Sequence, residues 1–230
     1  SNVLRLFIDG TMEGFTFPSG AIDNEPLYIG NFSSTWNSAY PLNGYISDLR
    51  VLSSASGSNS SYSLPTEPLT AITNTTFLLG RLPYFKDQST SNHAINVLGD
   101  TSLKPKSVFD NSPYSEASHG ASVLFNGFTG DYISAANNAD FNVGSSDFTL
   151  ECWAYIESVN GNAGLCGLYN TSTNQRSYLI YQTSGSEHFG VAMSSDGTYQ
   201  SGSGIDSGVD ISQYLNQWVH LALTKSGTNA

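Results

Sequence analysis

The amino-acid sequence predicts an all-β protein, folded as a two-sheet antiparallel jelly-roll sandwich. Apolar residues alternate with polar ones in short runs, which is typical of half-buried strands. Clusters of Gly, Asn, Asp, Ser and Pro separate these runs and indicate turns. No window has the spacing of an amphipathic helix over three turns, and 230 residues are enough for one large sandwich core.

The start of the chain predicts a hairpin. Leu4, Leu6 and Ile8 alternate with polar and aromatic residues and lead into the pair Asp9-Gly10. Such a pair favours a type I′ turn, because glycine accepts the positive φ that this turn requires. We expect a return strand that includes Phe15 and Phe17.

Two further strands are predicted at residues 26–30 and 42–51. The polar loop between them carries Trp36 and Tyr40. After these strands the composition changes to mostly Ser, Gly and Asn, and then prolines follow, which predicts a linker over residues 53–69.

A second series of strands begins after residue 70. We predict strands at residues 76–79, 94–98, 122–125, 132–134, 148–157, 178–182, 189–193 and 218–224. Cys152 and Cys166 lie in two apolar runs, residues 150–156 and 165–169, which we predict to be successive strands; a disulfide requires them to be neighbours, and two buried free thiols are the alternative. About a dozen short strands with turns between them suit a jelly roll.

Six segments of the chain carry family-like motifs. They are residues 6–10 (LFIDG), 27–30 (LYIG), 43–51 (NGYISDLRV), 127–133 (GFTGDYI), 147–155 (DFTLECWAY) and 217–222 (QWVHLA). Together they resemble the laminin-G-like (pentraxin-like) modules of the concanavalin A-like lectin/glucanase superfamily. This resemblance implies the same sandwich fold.

The order of these motifs is reversed relative to the family, in which the segment at 127–133 opens the module and the segment at 43–51 closes it. We therefore divide the chain into a closing part, residues 1–52, the linker, and an opening part, residues 70–230. The chain is either a permuted module or the tail of one tandem module followed by the head of the next. We expect the two parts to complete one sandwich, within one chain or by exchange with an identical neighbour.

The stretch from residue 65 to 112 is similar to connections in tandem modules of marine phage tail and fibre proteins. This resemblance implies a virion-surface or extracellular location. The expected partners are surface glycans or a host receptor, other virion or surface-protein subunits, and further copies of the same chain.

The charge balance excludes other partners. The chain has 8 Lys and Arg against 19 Asp and Glu, for a formal net charge of -11. We expect no nucleic-acid partner, because phosphate binding needs clustered cations. We also expect no membrane insertion, since no run approaches the ~20 apolar residues of a membrane span.

The acidity supports solubility, and it also suits a hard cation. The family resemblance implies a structural Ca²⁺ held by Asp48 near the end of the closing motif. Gly127 and Asp131 lie in the matching glycine-rich turn of the opening motif. The alternative is that Asp48 caps a turn or pairs with Arg50.

Catalysis is not expected from the sequence. Related hydrolases carry an E-x-D-x-x-E triplet on one strand, and this chain has none. Glu151 and Glu157 are six residues apart on one predicted strand, about 20 Å, which is too far for a carboxylate dyad. We interpret both as solvated strand residues. His220 alternates with core residues and is expected to be structural.

Sugar binding would use aromatic side chains as platforms. Trp153 and Tyr155 lie on the strand face opposite the core residues, and Trp36 and Tyr40 lie in a loop that could border the same sheet. Trp153 packing into a second layer is the alternative. The function we predict is a non-catalytic glycan-binding or adhesion module, with a structural spacer that has no ligand of its own as the alternative.

Overall fold

The computed structural model describes most of the chain. The described residues are 2–16, 25–32, 41–55, 61–80, 82–106, 108–109, 120–144, 146–159, 161–170, 175–194, 197 and 204–227. Two short 3₁₀ turns, Ala139–Phe141 and Ile211–Tyr214, accompany the strands. Within these ranges, no helix has the length and apolar character needed to cross a membrane.

Fifteen strands lie within the described residues. They are β1 (Asn2–Ile8), β2 (Thr11–Thr16), β3 (Leu27–Ile29), β4 (Asn43–Leu52), β5 (Thr75–Leu79), β6 (Ile95–Leu98), β7 (Ser102–Lys104), β8 (Ser122–Asn126), β9 (Tyr132–Ala135), β10 (Phe148–Ile156), β11 (Ala163–Asn170), β12 (Gln175–Gln182), β13 (His188–Met193), β14 (Ile205–Asp210) and β15 (Trp218–Gly227).

The strands form two antiparallel sheets, so the predicted all-β sandwich is confirmed. Sheet A has eight strands in the order β2-β1-β15-β10-β4-β8-β7, with β5 also paired to β4. Sheet B has seven strands in the order β14-β13-β12-β11-β3-β9-β6. Their facing surfaces enclose one main apolar core that includes residues from both parts of the chain.

The closing part contributes strands to the middle of both sheets. In sheet A, β1 pairs with β15, with Leu6 opposite Leu223, and β4 lies between β10 and β8. In sheet B, β3 lies between β11 and β9. Neither sheet would be continuous without these strands, because β4 and β3 each join two groups of strands from the opening part.

The hairpin predicted at the start of the chain is confirmed. Asp9 has φ 45° and Gly10 has φ 80°, which are the left-handed conformations of a type I′ turn. The Asp9 carboxylate also accepts a hydrogen bond from the backbone N–H of His220, at 2.8 Å. The turn therefore fixes β1 against β15 as well as against β2. Phe15 is 56% exposed near the end of β2, and Phe17 lies outside the described residues.

Both cysteines are free and buried in the core, as one of the two sequence interpretations has it. Cys152 belongs to β10 of sheet A and Cys166 to β11 of sheet B. Burial, together with the charge of Glu151, raises the pKa of the Cys152 thiol to about 12. Burial also raises the pKa of Cys166 well above its usual value. Both side chains therefore act as small apolar groups in the core.

Candidate functional site

A row of aromatic side chains crosses the outer face of sheet A, the face turned away from sheet B. Trp218 of β15 lies opposite Tyr155 of β10, and Tyr155 lies opposite Tyr45 of β4. Leu124 of β8 continues the row beyond Tyr45. We call Trp218, Tyr155 and Tyr45 the aromatic row.

Alternation along the strands produces this row. On β15, Val219 and Leu221 enter the core, so Trp218 points to the outer face. On β10 and β4, Ala154 and Ile46 enter the core beside Tyr155 and Tyr45. Antiparallel register then places the three rings side by side on adjacent strands.

The rings of the aromatic row contact one another edge to face. The centroids of Tyr155 and Trp218 are 5.5 Å apart at 68°, and those of Tyr45 and Tyr155 are 5.7 Å apart at 86°. All three side chains are partly exposed. Rings in such contacts are held rigidly while part of each surface stays open to solvent, which is the property of a binding platform.

A lysine covers part of the aromatic row. Lys106 lies shortly after β7, at the edge of sheet A, and its Nζ lies 3.2 Å from the Tyr155 ring centroid and 4.3 Å from that of Tyr45. Both distances are within the range of a cation–π contact. The two tyrosine rings therefore already hold one ammonium group.

Polar groups border the aromatic row at the end of β10. Asn43 accepts a hydrogen bond from the Glu157 backbone at 3.0 Å, and its side chain donates to Ser158 Oγ at 2.7 Å. Burial raises the pKa of the Tyr45 hydroxyl, and the charges of Glu157 and Tyr155 and a hydrogen bond to Glu157 add to this effect. Tyr45 therefore stays a neutral hydrogen-bonding phenol beside an exposed carboxylate.

Trp153, in the next row along β10, is enclosed. It is 7% exposed and lies edge-on to His220, with ring centroids 4.9 Å apart, and to Phe109 at 6.1 Å. Tyr62 stacks on His220, with ring centroids 5.6 Å apart. Trp153 thus packs into a second layer over sheet A, which was the alternative at the sequence level, while Tyr155 belongs to the partly open row.

The prediction that Glu151 is solvated is wrong. Glu151 is fully buried, and its Oε1 accepts hydrogen bonds from Arg50 Nε at 2.8 Å and Nη2 at 2.5 Å. Its Oε2 lies 3.5 Å from Nε2 of His220. Burial favours the neutral carboxyl, but hydrogen bonding and charge from His220 and Arg50 outweigh it and hold the pKa of Glu151 below its usual value. Glu157, by contrast, is exposed beyond the end of β10.

The residues predicted to hold calcium are not brought together. The Asp48 carboxylate is buried and accepts hydrogen bonds from Leu69 N at 2.6 Å and from the neighbouring Ser47 hydroxyl at 2.8 Å. Arg50 donates to Glu151 through Nε and Nη2. Ser47 Oγ also lies 2.6 Å from the carbonyl oxygen of Ala121, just before β8.

Gly127 and Asp131 lie beyond the other end of β8, a strand whose five residues span about 17 Å. Asp48 and the turn that holds Gly127 and Asp131 therefore lie at opposite ends of β8. Among the described residues, no group of three or more His, Cys, Asp or Glu side chains is placed to hold a metal. Structural calcium binding stays a prediction, which calorimetric titration of chelator-stripped protein tests.

Two of the predicted binding residues are not among those that the structure describes, and three residues of the site were not predicted. Trp36 and Tyr40 lie outside the described residues. Trp218 and Tyr45 were missed, although strict alternation with Val219 and Ile46 indicates their outward orientation. No sequence signal indicates Lys106, because its contact depends on the path of the chain after β7.

Comparison with known proteins gives one family match. Residues 126–230 match a laminin G family model that is described as the concanavalin A-like lectin/glucanases superfamily. No curated protein and no solved structure gives a match to the chain. The matched range contains Tyr155 and Trp218 of the aromatic row, whereas Tyr45 and Lys106 precede it. A lectin-like module is the coarse description that this match supports.

Proposed function

We propose that the chain is a non-catalytic glycan-binding module, which serves in adhesion on the surface of a virion, as part of a tail fibre, or in a secreted protein. The aromatic row is the binding surface. The observation that carries the proposal is the alignment of Trp218, Tyr155 and Tyr45 on three neighbouring strands, with part of each ring open to solvent.

The chemistry of the row suits a carbohydrate. A sugar ring presents a face of C–H groups that packs on an aromatic ring, and hydroxyl groups at its edge that need hydrogen-bond partners. Glu157 and Ser158 border the row and offer such partners. Because neighbouring strands are about 4.8 Å apart, three rings in one row can contact successive sugars of a chain.

Catalysis forms no part of the proposal. Hydrolysis of a glycosidic bond needs two carboxyl groups that flank the bond. Glu157 borders the row, whereas Glu151, on the same strand, is buried and held by Arg50. The carboxylate beside the row can therefore orient a sugar through hydrogen bonds without a nearby partner on β10.

Replacing Trp218 by Ala tests the proposal. Wild-type protein should bind at least one glycan class on an array, and Trp218→Ala should weaken that binding by about tenfold or more, because an aromatic residue at a binding hot spot commonly contributes about 2 kcal/mol. The matched control is Tyr84→Ala, which removes an aromatic side chain that is 53% exposed and outside the row.

Equal binding by the two variants would contradict the assignment of the site. Thermal unfolding of each variant shows whether the fold is retained. Absence of any glycan bound by wild type would overturn the proposed function itself.

A structural spacer or assembly module is the second candidate. The observation that favours it is an apolar side chain on the edge strand β2, Phe15, which is 56% exposed. Edge strands with apolar side chains are sites of pairing between chains. Sedimentation of wild type and Phe15→Ser distinguishes this candidate, because only an assembly module should lose self-association.

A further inference from the structure

The aromatic row holds a cation in the free protein. The Lys106 ammonium lies over Tyr155 and close to Tyr45, with 3.2 Å and 4.3 Å between Nζ and the ring centroids. Glu157 adds a negative charge near the Tyr45 hydroxyl. Two rings and a carboxylate form a surface whose potential favours a positive group.

We propose that the aromatic row selects an amino sugar, whose protonated amine takes the place of the Lys106 ammonium over Tyr155 and Tyr45. This inference rests on the proposed function and names the ligand class of the same site. Lys106 then acts as an internal competitor that occupies the cation position until the ligand arrives.

Lys106 has few contacts, so displacing its ammonium group from the rings costs little free energy. Among the residues that the structure describes, the lysine has cation–π contacts but no ion pair and no hydrogen bond. Its side chain is partly exposed, so the ammonium can move into water where it is well solvated. The amine of a bound sugar is held over the same rings by the stacking of the sugar itself.

The charge of the whole chain agrees with a cationic ligand. The formal net charge is -11, so a positively charged glycan is attracted over a distance and an acidic one is repelled. Glu157 gives the same preference at the site. A uronic acid or sulfated sugar would have to approach both the carboxylate and the negative field.

The test compares two tetrasaccharides of equal length, one of glucosamine and one of N-acetylglucosamine. At about pH 6, below the usual pKa of an amine near 8, only the first carries positive charge. Calorimetry should show the glucosamine tetramer binding roughly tenfold more tightly than the acetylated tetramer, as a partly desolvated cation–π contact allows.

Three variants separate the roles of the contacts. Lys106→Ala should strengthen binding of both tetramers by about 2- to 10-fold, because any sugar that stacks on Tyr155 displaces the lysine, and should keep the preference for the glucosamine tetramer. Glu157→Gln should reduce the preference for glucosamine, with exposed Glu67→Gln as its control. Tyr155→Leu should abolish the preference for glucosamine. If Tyr155→Leu fails to fold, Glu157→Gln still tests the inference.

Equal affinity for the two tetramers, or weaker glucosamine binding by Lys106→Ala, would overturn the amino-sugar inference. If neutral glycans still bind and Trp218→Ala weakens their binding, the proposed function survives the failure of the amino-sugar inference. Failure of every glycan on the array would overturn both.

Discussion

The Glu151 carboxylate joins three strands of sheet A through polar side chains. It accepts two hydrogen bonds from Arg50 on β4 and faces His220 on β15, with all three residues at or below 9% exposure. Removing one partner of a buried ion pair leaves the other charge uncompensated, which costs about 3–5 kcal/mol. We expect Glu151→Gln to lower the free energy of unfolding by this amount in urea.

The control for this variant is Glu67→Gln, because Glu67 is exposed and its replacement should change stability by less than about 0.5 kcal/mol. The pH dependence gives a second readout. A carboxyl whose pKa is lowered by folding contributes stability above its unfolded pKa of about 4.3, and that stability is lost as pH falls toward the lower folded value. The difference in free energy of unfolding between wild type and Glu151→Gln should therefore shrink below about pH 4.5. A difference that stays constant with pH would contradict the ion-pair role of Glu151.

Residue-level alternation predicts the side of the sheet but not what covers it. It places Glu151, Trp153 and Tyr155 on the outer face, and the structure agrees. Phe109 packs against Trp153 and Tyr62 stacks on His220, so Trp153 is buried there while Tyr155 stays partly open. Coverage by segments distant along the chain has no signature in the sequence of β10.

At the level of elements, one aspartate anchors β5 to the segment that follows it. The buried Asp87 carboxylate accepts hydrogen bonds from the backbone N–H groups of Leu78 (3.0 Å), Ser89 (2.9 Å) and His93 (2.8 Å). The Ser89 hydroxyl donates to the same carboxylate at 2.8 Å. A short acidic side chain thus replaces part of a strand ladder at the edge of β5.

We expect Asp87→Ala to destabilise the protein by at least about 3 kcal/mol, because it leaves several buried N–H groups without acceptors at about 1–3 kcal/mol each. Hydrogen exchange should locate the effect, with faster exchange at the amides of Leu78, Ser89 and His93. Asp100→Ala is the matched control, since the Asp100 side chain is exposed. Unchanged exchange at these amides would show that water satisfies them instead.

Elements were predictable where apolar runs are long. The strand predicted at 148–157 corresponds to β10, Phe148–Ile156, because uninterrupted apolar alternation fixes its limits. Two strands were missed, β7 (Ser102–Lys104) and β14 (Ile205–Asp210). The first has three residues, and the second contains Asp, Ser and Gly at an edge of sheet B. Edge strands need little apolar burial, so their pattern is weak.

At the scale of the whole molecule, the two parts of the chain are interleaved. Strands from residues 1–52 lie between strands from the opening part in both sheets. The motif order in the sequence indicates this arrangement, whereas the register of β1 against β15 depends on packing. That register places Asn2 opposite Gly227, so the two described ends are neighbours in an antiparallel pair.

This adjacency allows the chain order to be rearranged. Joining Ala230 to Ser1 places four residues, 228–230 and 1, between β15 and β1, which is an ordinary hairpin length. The permuted chain begins at Ser61 and ends at Ala55, so residues 56–60 are left out. We expect this permutant to fold, because it keeps every strand ladder and replaces one connection by another.

Circular dichroism and urea unfolding of the permutant should match those of the original chain within about 1–2 kcal/mol, since closing a short loop changes the entropy only modestly. The control consists of residues 1–55 and 61–230 as two separate polypeptides. Because both supply strands to the same sheets, they should associate, and this association should depend on concentration. A permutant that stays unfolded, or forms dimers where the original chain is monomeric, would show that β1 belongs beside β15 of another copy.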